Sequence, residues 1–187
     1  MLFARRSTGR LVAPAPAGED LQTILRAAAA APDHERLRPF RFTILEGAAK
    51  DAFGQVLAGA YTARCAAAGV EPVPAKREKE RTKLGRAPLV LVVSAVHRPT
   101  AGVPWDEQRA AAAAAAQNAC LAATGLGYGS MWRTGDPAYD PNVKAALGLD
   151  ASDAIVGWLY LGSYRDGAAP APNDPSLEGL LLPWPPP

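Results

Sequence analysis

Three arginines stand within six positions near the start of the chain, in the stretch RRSTGR at residues 5–10. Guanidinium groups bind phosphate and carboxylate oxygens through paired N–H donors, and serine and threonine hydroxyls add further hydrogen bonds. Three interpretations fit such a stretch: a targeting peptide, a basic arm for nucleic acid, or an anion site on a folded domain.

Composition argues against the first two interpretations. The 187 residues have a net charge of only +2, whereas nucleic-acid binding depends on neutralising many phosphates. A targeting peptide continues as an apolar or amphipathic helix, but RRSTGR runs into LVAPAPAGED, which contains two prolines and two acids. No uncharged apolar run reaches the roughly 18 residues of a membrane-spanning helix. We therefore expect a cytoplasmic protein with no nucleic-acid or membrane partner and a local anion site.

Cysteines, histidines and glycines point to no metal or nucleotide motif. Cys65 and Cys120 form no C-x-x-C motif and suit a reducing compartment. His34 and His97 belong to no Cys/His cluster, so no structural metal site is expected. The sequence contains no nucleophile elbow, P-loop or H-E-x-x-H motif. GLGYGS at 125–130 follows a predicted helix and enters a predicted strand, the reverse of the Rossmann order, so it predicts a tight turn.

Hydrophobic periodicity predicts one domain, residues 1–187, in which helices and strands alternate. Alternating or continuous apolar runs predict strands at 40–46, 87–96, 127–133 and 154–163. Amphipathic runs and capping residues predict helices at 19–31, 48–68, 105–126 and 140–148. The mixed-charge stretch 76–86 predicts a solvated helix or loop, or alternatively a mobile lid, and the proline-rich 164–187 predicts an extended arm. This order indicates an α+β or α/β layered domain around one sheet.

Seven consecutive alanines, residues 110–116, lie in the predicted helix at 105–126. Small side chains let another backbone approach closely. They therefore suit either a tight helix crossing in the core or a helix at a subunit interface, and both interpretations stay open. Gln117 and Asn118 follow the run, and either amide needs a hydrogen-bond partner wherever it is buried.

Two further stretches could face a ligand. APDHERLRPF at 31–40 lies between a predicted helix and a strand, and GYGSMWRTG at 127–135 offers an aromatic face, a cation and backbone N–H groups. Together with RRSTGR, LQTILRA, RAPLVLVV, WDEQ and IVGWLYLG, in this order and spacing, they resemble the nitroreductase family of flavoproteins, and most of all its compact bacterial branch of NAD(P)H nitroreductases. The resemblance covers roughly residues 4–163.

The resemblance implies an α+β nitroreductase-like fold, with a mostly antiparallel central sheet flanked by helices, in a homodimer that holds FMN at its interface. It implies that Arg5, Arg6 and Ser7 bind the phosphate and the polar ring edge of FMN. It further implies that His34 contacts the flavin from the partner subunit. The remaining implied contacts are Trp132, Arg133 and Thr134 along the flavin ring, and Ala122, Ala123, Thr124, Gly125, Leu126 and Gly127 for NAD(P).

The implied activity is that of an FMN-dependent oxidoreductase. NADH or NADPH would reduce the flavin, and a nitroaromatic, a quinone or a similar electrophile would then be reduced in the same place, in a ping-pong cycle. No catalytic side chain and no metal is expected, because the flavin carries the chemistry. The alternative is a flavin-binding module with little turnover, for storage, sensing or regulation. Two features suggest this alternative, because both leave few basic residues for the FMN phosphate. Ala30 stands where compact relatives often have a basic residue. Arg165 is the single basic residue after the last predicted strand, where larger relatives bind the phosphate.

Overall fold

The computed structural model describes residues 2–99, 102–172, 174–182 and 184. In this part of the chain the strands are β1 (Leu11–Val12), β2 (Phe40–Glu46), β3 (Leu89–Ala95), β4 (Gly129–Arg133) and β5 (Ala154–Tyr164). The α-helices are α1 (Gly18–Ala29), α2 (Ala48–Ala67), α3 (Pro74–Thr82), α4 (Trp105–Gly125) and α5 (Pro141–Ala146).

The sheet is organised around β5, which pairs with β3, β4 and β1. All pairings between these strands are antiparallel, and β2 extends the sheet from β3 with Phe40 opposite Ala95 and Glu46 opposite Leu89. Helices flank this sheet. The structure therefore confirms the predicted α+β architecture with a mostly antiparallel central sheet.

The core has two halves, one on each face of the sheet. Alternate residues of β3 point in opposite directions, so Val90 and Val92 pack with Leu57 of α2, while Leu89 and Leu91 pack with α1 and α4. This double coverage explains why β3 is a continuous apolar run rather than an alternating one. Each such buried aliphatic side chain contributes roughly 1.5–3 kcal/mol relative to an exposed one.

The alanine run of α4 makes a tight crossing inside the protein. Ala112, Ala115 and Ala116 are fully buried, and α4 packs on both α1 and the sheet. The side-chain amide of Asn118 donates to the Ala27 carbonyl of α1 at 3.1 Å, and the side chain of Gln117 is exposed. Ala110 on the outer side of the helix is exposed. The core interpretation is thus confirmed for the inner side, and the subunit-interface interpretation stays a prediction for the outer side.

The mixed-charge stretch forms α3 and a 3-10 turn at Lys83–Arg86. Its charges lie largely in solvent and pair along the helix, with Arg81 Nη2 2.6 Å from Glu78 Oε1, while Leu84 anchors the turn in the core. This confirms the solvated-helix prediction. Sequence patterns missed β1, which has only two residues. The described residues of the predicted arm after β5 form no helix or strand, and Asn173, Pro183 and 185–187 lie outside the described residues.

Candidate functional site

The N-terminal basic segment is fixed against the sheet by one bridge. Ser7 pairs in parallel with Ser130 of β4, and the backbone N–H of Thr8 donates to the Ser130 carbonyl at 3.0 Å. Arg5 Nη1 lies 3.5 Å from Ser7 Oγ, and Arg5 and Arg6 are both half-buried. Residues that are far apart in the sequence therefore become neighbours, because β4 also carries the Trp132 motif.

Strand β4 presents its side chains alternately to the two faces of the sheet. Trp132 packs on the α1–α4 side, where the Ser130 hydroxyl also faces the Cys120 thiol of α4. Met131 packs on the α2 side, and Arg133 Nε donates to its sulfur at 3.3 Å. Trp132 and Arg133 therefore point to different faces of the sheet, and their side chains do not contact one common surface.

The indole of Trp132 is held in place by the neighbouring strand. Its Nε1 donates to the Val156 carbonyl at 3.2 Å, and a Cβ on Gly157 would lie only 2.0 Å from that nitrogen. Any side chain at Gly157 would therefore occupy the space of the indole. Beside Trp132 opens a cleft of about 320 Å³, lined also by Thr134, Arg109, Ala113, Tyr139 and Lys144.

The basic segment places the positive charge of Arg5 beside β4. Burial raises the pKa of the Cys120 thiol, and the Ser130 hydroxyl and the charge of Arg5 act against that rise. The positive charge of Arg5 therefore acts on the thiol of Cys120 in α4. A guanidinium group and a serine hydroxyl on a segment that pairs with the strand of an indole ring can bind a planar ligand that carries negative charge.

His34 lies in a different cavity, of about 340 Å³, formed with Asp33, Glu107 and the outer side of α4. Its Nδ1 is 2.6 Å from Glu107 Oε2, and this contact raises the pKa of His34 above its ordinary value of 6.5. Ala110 of α4 lines this cavity, and Ala113 lines the Trp132 cleft. Within one chain, then, His34 stands beside the Trp132 cleft along α4 but does not line it.

The predicted dinucleotide segment lies at the end of α4 and is partly core. Ala123 is fully buried, Ala122 packs against the same cluster, and the Thr124 hydroxyl donates to the Cys120 carbonyl at 2.9 Å. The following turn, residues 125–127, is exposed, and φ of Gly127 is +86°, in the left-handed region that favours glycine. Within this segment, the turn is the part most open to a ligand.

Sequence reasoning did not indicate Gly157, Arg109 or Tyr139. Gly157 matters only because Trp132 crosses it from another strand, and a local pattern contains no sign of that approach. Among the residues that the structure describes, no cluster of three or more His, Cys, Asp or Glu side chains could hold a metal ion. Within the same residues, no helix is long and apolar enough to cross a lipid bilayer.

Two curated relatives match nearly the whole chain. The "Putative NAD(P)H nitroreductase YdjA" of Escherichia coli K12 is 38% identical over 176 residues, which are 94% of this chain and 92% of the relative. The "Putative NAD(P)H nitroreductase" of Haemophilus influenzae is 30% identical over 169 residues, 90% of this chain and 89% of the relative.

Solved structures share the fold. The nitroreductase-like family protein from Bacillus cereus superposes with a TM-score of 0.78 at 23% identity, covering 96% of this chain and 91% of that one. A nitroreductase with bound FMN from Bacteroides fragilis gives a TM-score of 0.71 at 25% identity, covering 97% and 95%. The family model described as Nitroreductase family matches residues 2–163. The chain belongs to the nitroreductase family, as its motifs predicted.

Proposed function

We propose that this protein is an FMN-dependent oxidoreductase that takes electrons from NADH or NADPH. The observation that carries the proposal is the bridge between Ser7 and Ser130, which joins the basic segment to the strand of Trp132. The names of the two curated relatives and the FMN bound to the Bacteroides fragilis neighbour support both cofactors.

The residues present fit such a cofactor. Arg5, Arg6 and Ser7 would hold the phosphate and the polar ring edge, and Trp132 with Thr134 would give the ring an aromatic and a polar contact. Near this segment the hydroxyl of Thr8 is buried and has no hydrogen-bond partner among the described residues, a deficit that a polar ligand could relieve. A cation near the ring edge stabilises the negative charge of a reduced flavin.

When bound, FMN would supply two-electron redox chemistry between the nicotinamide and a nitroaromatic, a quinone or a similar electrophile that takes the same place, with the acceptor's proton coming from water. The chain's own groups bind and orient rather than transfer protons. An open cleft beside Trp132, with a volume of about 320 Å³, is consistent with two ligands that bind in turn.

A homodimer would complete the site with His34. Because His34 lines its own cavity and not the Trp132 cleft, a contact with the same flavin requires a second copy. The outer side of α4, with Ala110 exposed and Ala113 half-buried between the two cavities, is the surface on which such a copy would pack closely. Light scattering after size-exclusion chromatography tests this arrangement, and a monomer at working concentration contradicts it.

The first test of the function is the absorbance spectrum of the purified protein, before and after NADPH is added without oxygen. Oxidised-flavin bands that bleach support the reductase. Bands that persist with both NADPH and NADH favour the alternative, a flavin-binding module with little turnover. A colourless protein that takes up no added FMN refutes both.

A double variant, Arg5→Ala with Arg6→Ala, tests the residues. Hydrogen bonds to charged groups are worth about 1.5–3 kcal/mol each, so FMN affinity should fall about a hundredfold or more. Quenching of FMN fluorescence on binding gives the dissociation constant. The matched control is Arg77→Ala with Arg98→Ala, which removes the same charge from exposed positions that line none of the described cavities. Equal affinities in both double variants would refute the assignment.

A further inference from the structure

A second cleft, of about 390 Å³, is lined by positive charges from three separate segments of the chain. Arg10 comes from the segment before β1, and Arg165 follows β5. Lys79, Lys83 and Arg86 come from α3 and the turn after it, where the Thr82 hydroxyl also lines the cleft. The whole chain has a net charge of only +2, so this is a local concentration of charge.

Most of these charges lack a local counter-charge. Lys83 Nζ is 2.7 Å from Glu80 Oε2. For Arg10, Lys79, Arg86 and Arg165, no carboxylate of the described residues forms an ion pair within 4.0 Å. Like charges held around one concave surface repel one another, and a bound anion relieves that repulsion. The arrangement therefore points to an anionic ligand.

The cleft lies on the α2 side of the sheet and meets the proposed flavin site at β4, which pairs with β5 alone among the named strands. Arg10 follows Ser7 by three residues, so their Cα atoms are at most about 10 Å apart. Leu11 lines the cleft and packs against Gly129 at the start of β4, where an added Cβ would lie 2.4 Å from the Leu11 Cδ2. A nucleotide that is bound beside β4 could therefore extend one of its phosphates into this cleft.

We propose that this basic cleft binds the 2′-phosphate of NADPH, so that the protein prefers NADPH to NADH. The inference rests on the oxidoreductase function proposed above. A phosphate monoester carries about −1.5 to −2 charges near neutral pH, and guanidinium forks match its oxygens in pairs. The 2′-phosphate is the one group that NADPH has and NADH lacks. Four cations without a counter-charge would therefore attract NADPH more strongly than NADH.

Steady-state kinetics of the FMN-loaded enzyme test the preference. We expect Arg10→Ala with Arg165→Ala to raise KM for NADPH about tenfold or more, the effect of a lost charge-assisted contact, and to leave kcat unchanged. KM for NADH should not change. The control Arg77→Ala with Arg98→Ala should leave both KM values unchanged, since neither residue lines the cleft. Both arginines of the test variant are exposed, so an unaltered melting temperature should confirm folding.

A binding measurement separates this inference from the proposed activity. Calorimetric titration with adenosine 2′,5′-bisphosphate needs neither flavin nor turnover. The wild-type protein should bind it, and the Arg10→Ala with Arg165→Ala variant should bind about tenfold more weakly. If no NADPH oxidation is found, this titration alone still decides the question. Three results would each overturn the proposal. The variant could lose NADPH and NADH affinity equally, it could lose FMN affinity instead, or it could retain bisphosphate binding in full.

Discussion

Replacing Gly157 with alanine should displace Trp132 from its place against β5. The added Cβ would lie 2.0 Å from the indole Nε1 and 2.5 Å from Cδ1. Since non-bonded heavy atoms are in optimal contact at about 3.5–4.0 Å, the ring must move by about 1.5 Å. A rigid indole cannot absorb that shift by a small torsion change, and the hydrogen bond from Nε1 to the Val156 carbonyl, now 3.2 Å, is lost.

The cost has two parts. Overpacking of a well-filled site costs about 1–3 kcal/mol, and a lost hydrogen bond costs about 1 kcal/mol more. A total of about 2–4 kcal/mol corresponds to a fall in melting temperature of roughly 5–15 °C for a chain of this size. The displaced indole would enter the cleft of about 320 Å³, so FMN affinity should fall at least about tenfold.

Urea denaturation and FMN titration of the same variant separate these effects. Gly59→Ala is the matched control, because Gly59 lies exposed in α2 and an added Cβ would meet no atom within 4 Å. That exchange should stabilise the protein by up to about 1 kcal/mol. Wild-type stability of Gly157→Ala would refute the packing argument. A destabilised variant with unchanged FMN affinity would instead show that Trp132 does not form the cofactor cleft.

Two further predictions concern ion pairs. Asp140 is 2% exposed, accepts hydrogen bonds from two N–H groups at the start of α5 and pairs with Arg64. In urea denaturation, Asp140→Ala should therefore lower the free energy of unfolding by roughly 3 kcal/mol. Asp140→Asn keeps the cap and should lower it by less. The pair with Glu107 raises the pKa of His34, so its stabilising effect is complete below pH 6.5 and disappears as the pH rises through the raised pKa. In an NMR titration, Glu107→Gln should return the pKa of His34 towards 6.5. A His34 pKa that is the same in the wild type and in this variant would mean that the pair does not form in solution.

Most of the fold follows from sequence patterns, because packing and local preference agree. The apolar run of β5 and the Asp–Pro start of α5 each gave the right element, with Asp140 accepting from the N–H groups of Asn142 and Val143. The two-residue β1 could not be found in this way. It exists because Leu11 and Val12 pair with the end of β5, and such a pairing has no periodicity of its own.

The candidate site was less accessible to sequence reasoning. Motifs marked the chain positions, but they did not reveal that Ser7 pairs with Ser130 or that Gly157 makes room for Trp132. Both are contacts between segments distant in sequence. The basic cleft has the same origin, since Arg10 and Arg165 belong to different segments and meet only where β1 joins β5.

The stretch Trp132–Thr134 illustrates why a sequence motif is not a contact surface. In an extended strand successive side chains alternate, so Trp132 lies on one side of the sheet, and Arg133 lies with Met131 on the other. There the charge of Arg133 acts on buried Tyr160 together with Arg86, one of the cations of the basic cleft. The guanidinium group of Arg133 therefore lies on the opposite face of the sheet from a ring stacked beside Trp132. A resemblance transfers three neighbouring residues as a set, and the pleat of β4 divides that set between the two faces of the sheet.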